Sequence, residues 1–249
     1  MATPDDDMFG AAARLEGVPS ALAAARDGVD ALLRDRGMRR TTPELTAESL
    51  LRGALASARL AGSASTLDDV RRGAGDEVAT RSVRLNAGLL ALVPVVARSP
   101  LEALARMHGL AAAGAVPTDQ LGRPRPEPDA AQMLCDLAAR LLAPTTAPAV
   151  AVAALAHAEV LTQAPFGFAN DLVARALERL LLVSRGVDPV SVTVPEAGHL
   201  ALGEGYRKAI GCYRDEGVPG RRTWLLHAAA AIGEGCRLSP LGSGAGASI

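Results

Sequence analysis

Apolar residues recur every three to four positions along most of this chain, and the breaks between the runs fall at Gly, Pro and small polar residues. That pattern predicts helices from end to end. Pro19 and Ser20 open a stretch with Leu22, Val29, Leu32 and Leu33 on one side, ending near Gly37. Thr46 is placed to cap a second stretch carrying Leu50, Leu51, Leu55 and Leu60. A run over residues 81–97 is interrupted by Pro94, and Ser99 with Pro100 starts another through Leu101, Leu104, Met107, His108 and Ala111, stopped by Gly114. Residues 116–128 are rich in Pro and predict an exposed connection with a short extended piece at residues 120–122. Helices are predicted over residues 129–142 and 147–161. After a break at residues 163–167 comes the best-defined one, over residues 171–184. There Leu172, Val173, Ala176, Leu177, Leu180 and Leu181 keep the helical period, Arg175, Glu178 and Arg179 lie off the stripe, and Gly186 and Pro189 end the run. A final pair spans residues 197–215 and 222–236. Residues 1–13 and 238–249 lack periodicity and read as loose ends that carry no site.

Composition narrows this to an all-α fold. Of 249 residues, 49% are hydrophobic but only 2% are aromatic, and an apolar content dominated by Ala, Leu and Val suits close helix packing in one domain better than a sandwich of strands. The organisation expected is a partly helical extension over residues 1–44, a helical domain over residues 45–236 and a Gly/Ser-rich tail over residues 237–249. A net charge of −1, without a Lys/Arg block, argues against nucleic acid and anionic membrane as partners. Cys135, Cys212 and Cys236 are widely spaced and form no C-x-x-C pair, so neither a disulfide framework nor a zinc site is expected. They read as small buried apolar residues in a reducing cytoplasm. No apolar stretch approaches the roughly 18 residues needed to cross a bilayer.

One segment carries a more specific pattern. Residues 153–189, AALAHAEVLTQAPFGFANDLVARALERLLLVSRGVDP, resemble the core of Fic (Fido) domains, in which a helix leads into the loop motif H-P-F-x-x-G-N-G-R-x-x-R and a second helix leaves it. Pro165, Phe166, Asn170 and Arg175 fall at the motif's spacing. Flanking pieces agree: residues 100–114 resemble the helix before the family's flap, residues 116–125 lie where the flap belongs, and Tyr206 to Trp224 resembles the closing helix with its downstream Trp. The likeness spans roughly residues 45–235 and is similar to a divergent actinobacterial branch with P-F-G-x-A-N in the loop.

The resemblance implies a fold used for AMP transfer. In the family the loop histidine is a general base on a target hydroxyl that attacks the α-phosphate of ATP, while small residues, helix N-terminal amides, an acidic magnesium ligand after the Phe and two arginines hold the phosphates. This chain departs at most of those positions. Ala164 stands at the histidine and Gly167 at the acidic metal ligand. Ala169 and Asp171 replace the two glycines, and Leu172 replaces the first Arg. Losing a positioned base typically removes about 10² to 10⁴ in rate. Adding the Asp171 carboxylate and losing a cation costs phosphate binding on the order of 4 kcal/mol per charge at about 4 Å and an effective dielectric near 20. Asp171 would also serve as a helix cap. Upstream, residues 57–62 (SARLAG) match the frame of the family's inhibitory helix, S/T-x-x-x-E-G/N, with Ala61 in place of the Glu.

The implied site is therefore a degenerate nucleotide loop of Gly167, Phe168, Ala169, Asn170 and Arg175, with a flap at Gly122 and Arg123, no catalytic residue and no protein metal ligand; ATP and magnesium are its only candidate cofactors. Each residue has a plainer reading. Arg175 is a phosphate ligand or a surface arginine beside Glu178 and Glu159, Asn170 a ligand or a helix cap, Phe166 an anchor of the loop in the core. Gly122 and Arg123 contact an extended peptide or form a solvated turn. His157 is a recruited base or a packed histidine, with His108 and His227 less promising still, and Gln163 can orient a hydroxyl but not deprotonate it. Three functions follow: a non-catalytic binding or regulatory protein with an unidentified protein partner, a divergent nucleotidyl or phosphoryl transferase using ATP, or a helical interaction partner, including of its own kind, through an apolar face on residues 147–160 or 223–232.

Overall fold

Side-chain caps and prolines set where the helices of this chain begin. In the computed structural model, which describes residues 7–35 and 42–241, the Asp7 carboxylate accepts the Gly10 N–H and opens α1 (Met8–Ala13). α2 (Val18–Asp35) follows. α3 (Pro43–Leu60) starts at Thr42, whose hydroxyl accepts the Leu45 N–H. Thr46, the cap expected from the sequence, lies inside that helix and donates its hydroxyl to the Val190 carbonyl instead. Thr66 and Asp69 build a reciprocal capping box on α4 (Leu67–Arg71), a turn too short to show an apolar period. α5 (Glu77–Leu89), capped by Asp76, runs into a 3₁₀ turn (Leu90–Leu92) and then α6 (Val93–Val96), so Pro94 sits in the first turn of a short helix rather than interrupting a long one.

α7 (Pro100–Ala112) begins at Pro100 as the sequence predicts. The connection to α8 (Pro128–Leu142) holds a 3₁₀ turn (Thr118–Gln120) and not the extended piece expected at residues 120–122: Gln120 ends the turn and Gly122 takes φ +74. Among the described residues the only β pairing is an isolated bridge between Ala113 and Val116. α9 (Ala149–Gln163) and α10 (Asn170–Ser184) follow as read. The expected final pair is three helices, α11 (Pro195–Ala201), α12 (Glu204–Asp215) and α13 (Val218–Arg237), because Gly203 and Gly217 break the path at positive φ. The helix end expected near Gly37 lies outside the described residues, as do residues 1–6 and 242–249. The fold class is all-α, as expected.

α9 and α10 lie against each other at the centre. α9 is buried on every side from Val150 to Ala158, and its alanines allow close helix approach. α13 packs on α2, α11 and α12. Phe9, Ala12 and Ala13 enter the same core, so residues 8–13 are packed rather than loose, and Ser239 and Leu241 are buried at the other end. The apolar residues of α9 and of α13, which the third functional reading needed at the surface, face inward: Trp224, Leu225, Ala228 and Ile232 are buried. α10 is buried almost all round, so Arg175, Glu178 and Arg179, off its apolar stripe, are inside as well.

The chain after α10 threads the interior without regular structure. The Thr193 N–H donates to Asp188, the Val194 N–H to the Gly235 carbonyl, and the Ser239 hydroxyl to the Val192 carbonyl. This passage holds α11 against α13 so tightly that a methyl at Gly198 would collide with the Ala231 carbonyl. Gly198→Ala is expected to cost about 1–3 kcal/mol by overpacking. Gly211→Ala in α12, where nothing stands in the way, is expected to be neutral or stabilising by up to about 1 kcal/mol. Chemical denaturation of the two variants checks the contrast.

Candidate functional site

The loop between α9 and α10 is shaped by two alanines in the left-handed region, Ala164 at φ 44 and Ala169 at φ 57. Ala164 ends α9 by donating its N–H to the Val160 carbonyl. Arg125, from the proline-rich connection, then clasps the loop: its backbone N–H donates to the Pro165 carbonyl at 2.8 Å and its Nε to the Ala164 carbonyl at 3.0 Å. Phe166 is buried, as expected, and stacks on the His108 ring with centroids 4.3 Å apart. Asn170 does not cap a helix. Its side chain accepts the Phe166 N–H at 2.9 Å and donates to the Phe166 carbonyl at 2.7 Å, which closes the loop on itself.

Arg175 is not a surface arginine beside Glu178 and Glu159. It is 2% exposed, with Nε on the Ser57 hydroxyl at 2.7 Å and Nη2 on both the Ser57 carbonyl at 3.0 Å and Asp171 at 2.8 Å. Its Nη1 reaches the Tyr206 hydroxyl at 3.4 Å. The upstream frame thus places Ser57 on Arg175, while Ala61 only ends α3. Glu159 instead accepts the Tyr213 hydroxyl. Above Arg175 lies a pocket of about 340 Å³ whose wall includes Asp171, Tyr206, Arg207 and Arg214.

The other candidates face elsewhere. Gly167 and Phe168 line a separate pocket of about 290 Å³ with His108, Gln120, Arg123 and Arg125, and Arg81 lies over the Phe168 ring at 5.3 Å. Gly122 donates its N–H to His108 Nδ1 at 2.9 Å, a turn contact rather than a free strand edge, and Arg123 is exposed. Gly167 and Phe168 thus border a pocket beside the proline-rich connection, and Arg175 borders a different one. Asp171, the loop's carboxylate, is already paired with Arg175, so these residues do not fit a magnesium–ATP complex.

The most concentrated chemistry lies one turn further along α10, where His157 and His227, weighed singly in the sequence, join Glu178 and His199. Glu178 Oε2 sits between His157 Nδ1 at 2.6 Å and His199 Nε2 at 2.9 Å. His157 Nε2 meets the Tyr206 hydroxyl at 3.0 Å, and His199 Nδ1 meets His227 Nε2 at 3.1 Å. Trp224 packs edge-on to His157 and flat on His199, its indole N–H donating to the Ala154 carbonyl. With neutral rings every contact is satisfied when Arg175 donates to Tyr206, Tyr206 to His157 and His157 to Glu178, and from the other side His227 to His199 and His199 to Glu178. Next to it, Arg179 holds Glu196 through two parallel bonds at 2.9 and 2.7 Å, with Ser49 and Ser191 on its remaining donors. The signal available in the sequence was one histidine inside an otherwise apolar helix and a carboxylate on the helix beside it. Of the cysteines, Cys236 is buried as expected, whereas Cys135 is exposed because it lies on the outer face of α8.

Burial would raise the Glu178 carboxyl, but His199 and His157 beside it hold it well below the usual carboxylate range. Burial pushes His157 down to about 4 despite the pull of Glu178, and takes His227 to about 4 as well. A histidine that is neutral when folded but protonates near 6.5 when unfolded makes the unfolded chain bind the extra proton between those values, so stability falls as pH drops through that window. Glu178 has the same sign: its stabilisation is present above the unfolded carboxyl value and is lost at lower pH. Thermal unfolding is expected to be insensitive to these groups above pH 7. From pH 6.5 to 4.5 the fold is expected to lose up to about 1.4 kcal/mol per pH unit for each fully titrating histidine. Unchanged stability between pH 7 and 5 would contradict this.

No helix among the described residues is long and apolar enough to cross a membrane. No known family profile and no curated protein matches the sequence. Among solved structures the chain is similar to a Fic family protein from Desulfovibrio desulfuricans G20, with a TM-score of 0.73 at 16% identity over 88% of this chain and 73% of that one. It is also similar to Fic-1 from C. elegans in two forms, with TM-scores of 0.67 and 0.61, identities of 17% and 18%, and coverage of 88% and 87% of this chain and 71% of each of those. At these identities the likeness is one of architecture: the chain has the all-helical fold of Fic family proteins.

Proposed function

We propose that this protein is a non-catalytic binding or regulatory relative of Fic enzymes that does not transfer AMP. The observation that carries the reading is the loop itself. Ala164 stands where the resemblance implies the general base, its methyl cannot accept a proton, and its carbonyl is bound by Arg125. His157 is no substitute, since it is fully buried and both ring nitrogens are engaged. Arg175, the cation that resemblance assigns to phosphate, already has Ser57, Asp171 and Tyr206 as partners. The flap-side pocket beside exposed Arg123 is the favoured face for a protein partner. The pocket above Arg175, which Arg207 and Arg214 border, favours as a second reading a site for a phosphorylated ligand.

Incubation with magnesium and ATP labelled at the α-phosphate is expected to leave the protein and added extract proteins unlabelled. Ala164→His alone is expected to leave them unlabelled too, because Asp171 and Leu172 remain. Magnesium-dependent labelling by the wild type would contradict the proposal. Arg175→Ala is expected to lose on the order of 3 kcal/mol of stability without any ligand, since charge-assisted bonds to Ser57 and Asp171 disappear together. Denaturant melts check this, and an unaltered stability with loss of nucleotide binding would favour the second reading.

A further inference from the structure

We propose that His157, Glu178 and His199 form a buried transition-metal site, taking zinc or a similar divalent ion, that ties α9, α10 and α11 together. The three side chains come from three helices, each at most 1% exposed, and offer ligand atoms that all lie within 4.8 Å of one another. Two imidazoles and a carboxylate form a donor set suited to zinc, at bonds of about 2.0–2.2 Å.

The charge arrangement points the same way. Arg175 is matched by Asp171 and Arg179 by Glu196, which leaves Glu178 as the buried carboxylate of α10 without a guanidinium. Its second oxygen, Oε1, is buried with no hydrogen-bond partner. A buried unpaired acceptor costs on the order of 1–3 kcal/mol, more when charged. A divalent ion between the rings would give Glu178 its cation and Oε1 a coordination bond, closing a four-donor site.

The outer partners allow the change. To ligate, His157 must free Nδ1 and carry its proton on Nε2, and His199 must free Nε2 and carry its proton on Nδ1. Tyr206 then accepts where it had donated, and His227 accepts through Nε2 where it had donated. A hydroxyl and an imidazole can each play either part. The ring N–H of each ligand would thus keep a partner, the usual second shell of a histidine metal site. With no solvent at the ligands, the ion would serve the fold and not a substrate.

The full chain, expressed in zinc-supplemented medium and purified without chelator, is expected to hold about one equivalent of metal. After chelator treatment its melting temperature is expected to fall, and cobalt(II) added to the stripped protein is expected to give the visible ligand-field absorption of a four-coordinate site, displaced by zinc. Proton spectra of the wild-type cobalt protein are expected to show two hyperfine-shifted exchangeable imidazole N–H signals, which identifies the ligands without any variant. His227→Gln, outside the ligand set, is expected to weaken cobalt binding about 10- to 100-fold. Glu178→Gln, if it folds, is expected to abolish it. No metal on the purified protein and no cobalt uptake by the stripped protein would overturn the proposal. So would cobalt binding that shows other than two such signals, or that survives Glu178→Gln.

Discussion

Burying a charge in a helical core is costly unless donors surround it, and α10 carries three charged groups into the interior within a little more than one turn, Arg175, Glu178 and Arg179. The surrounding helices are arranged around those three. α3 supplies Ser57 to Arg175 and Ser49 to Arg179. α9 gives His157, α11 gives His199 and Glu196, and α12 gives Tyr206. The irregular passage through Ser191 to Val194 is fixed by the same layer, because Arg179 needs the Ser191 hydroxyl. Glu178 is the most demanding member, for its carboxylate is stabilised by ring N–H groups alone.

This layer also decides what the α9–α10 loop can do. Arg175 is bonded to Ser57 and Asp171, and its remaining amino group faces the histidine chain through Tyr206. The loop is held just as firmly from outside by Arg125 and from within by Asn170. Such a loop presents a fixed surface, with Gly167 and Phe168 beside the proline-rich connection.

The helical fold was legible because amphipathic period, Pro starts and Gly stops agree along most of the chain, as at Pro100 and through α10. The failures have separable causes. Thr46 reads as a cap because a β-branched hydroxyl before an apolar run looks the same whether it meets its own helix or, as here, the distant Val190 carbonyl. α4 and α6 are too short to show a period, and Gly203 splits a helix whose apolar pattern continues across it. At the site, Phe166 was read correctly as an anchor. Arg175 was misplaced at the surface because charged residues off an apolar stripe normally face water. The cluster around Glu178 was invisible, since His157, Glu178, His199 and His227 lie on four helices and no local spacing connects them.

The most direct test of this account is the tautomeric state of the histidines in metal-free protein at pH 7, read from nitrogen-15 spectra of the imidazole rings. Donation toward an ionised Glu178 predicts a proton on Nδ1 of His157 and on Nε2 of His199, with the His157 and His227 rings neutral. An imidazolium at His157 would contradict the burial that keeps the ring neutral, and a proton on Nε2 alone would contradict the account by leaving Nδ1, a bare acceptor, against the Glu178 carboxylate.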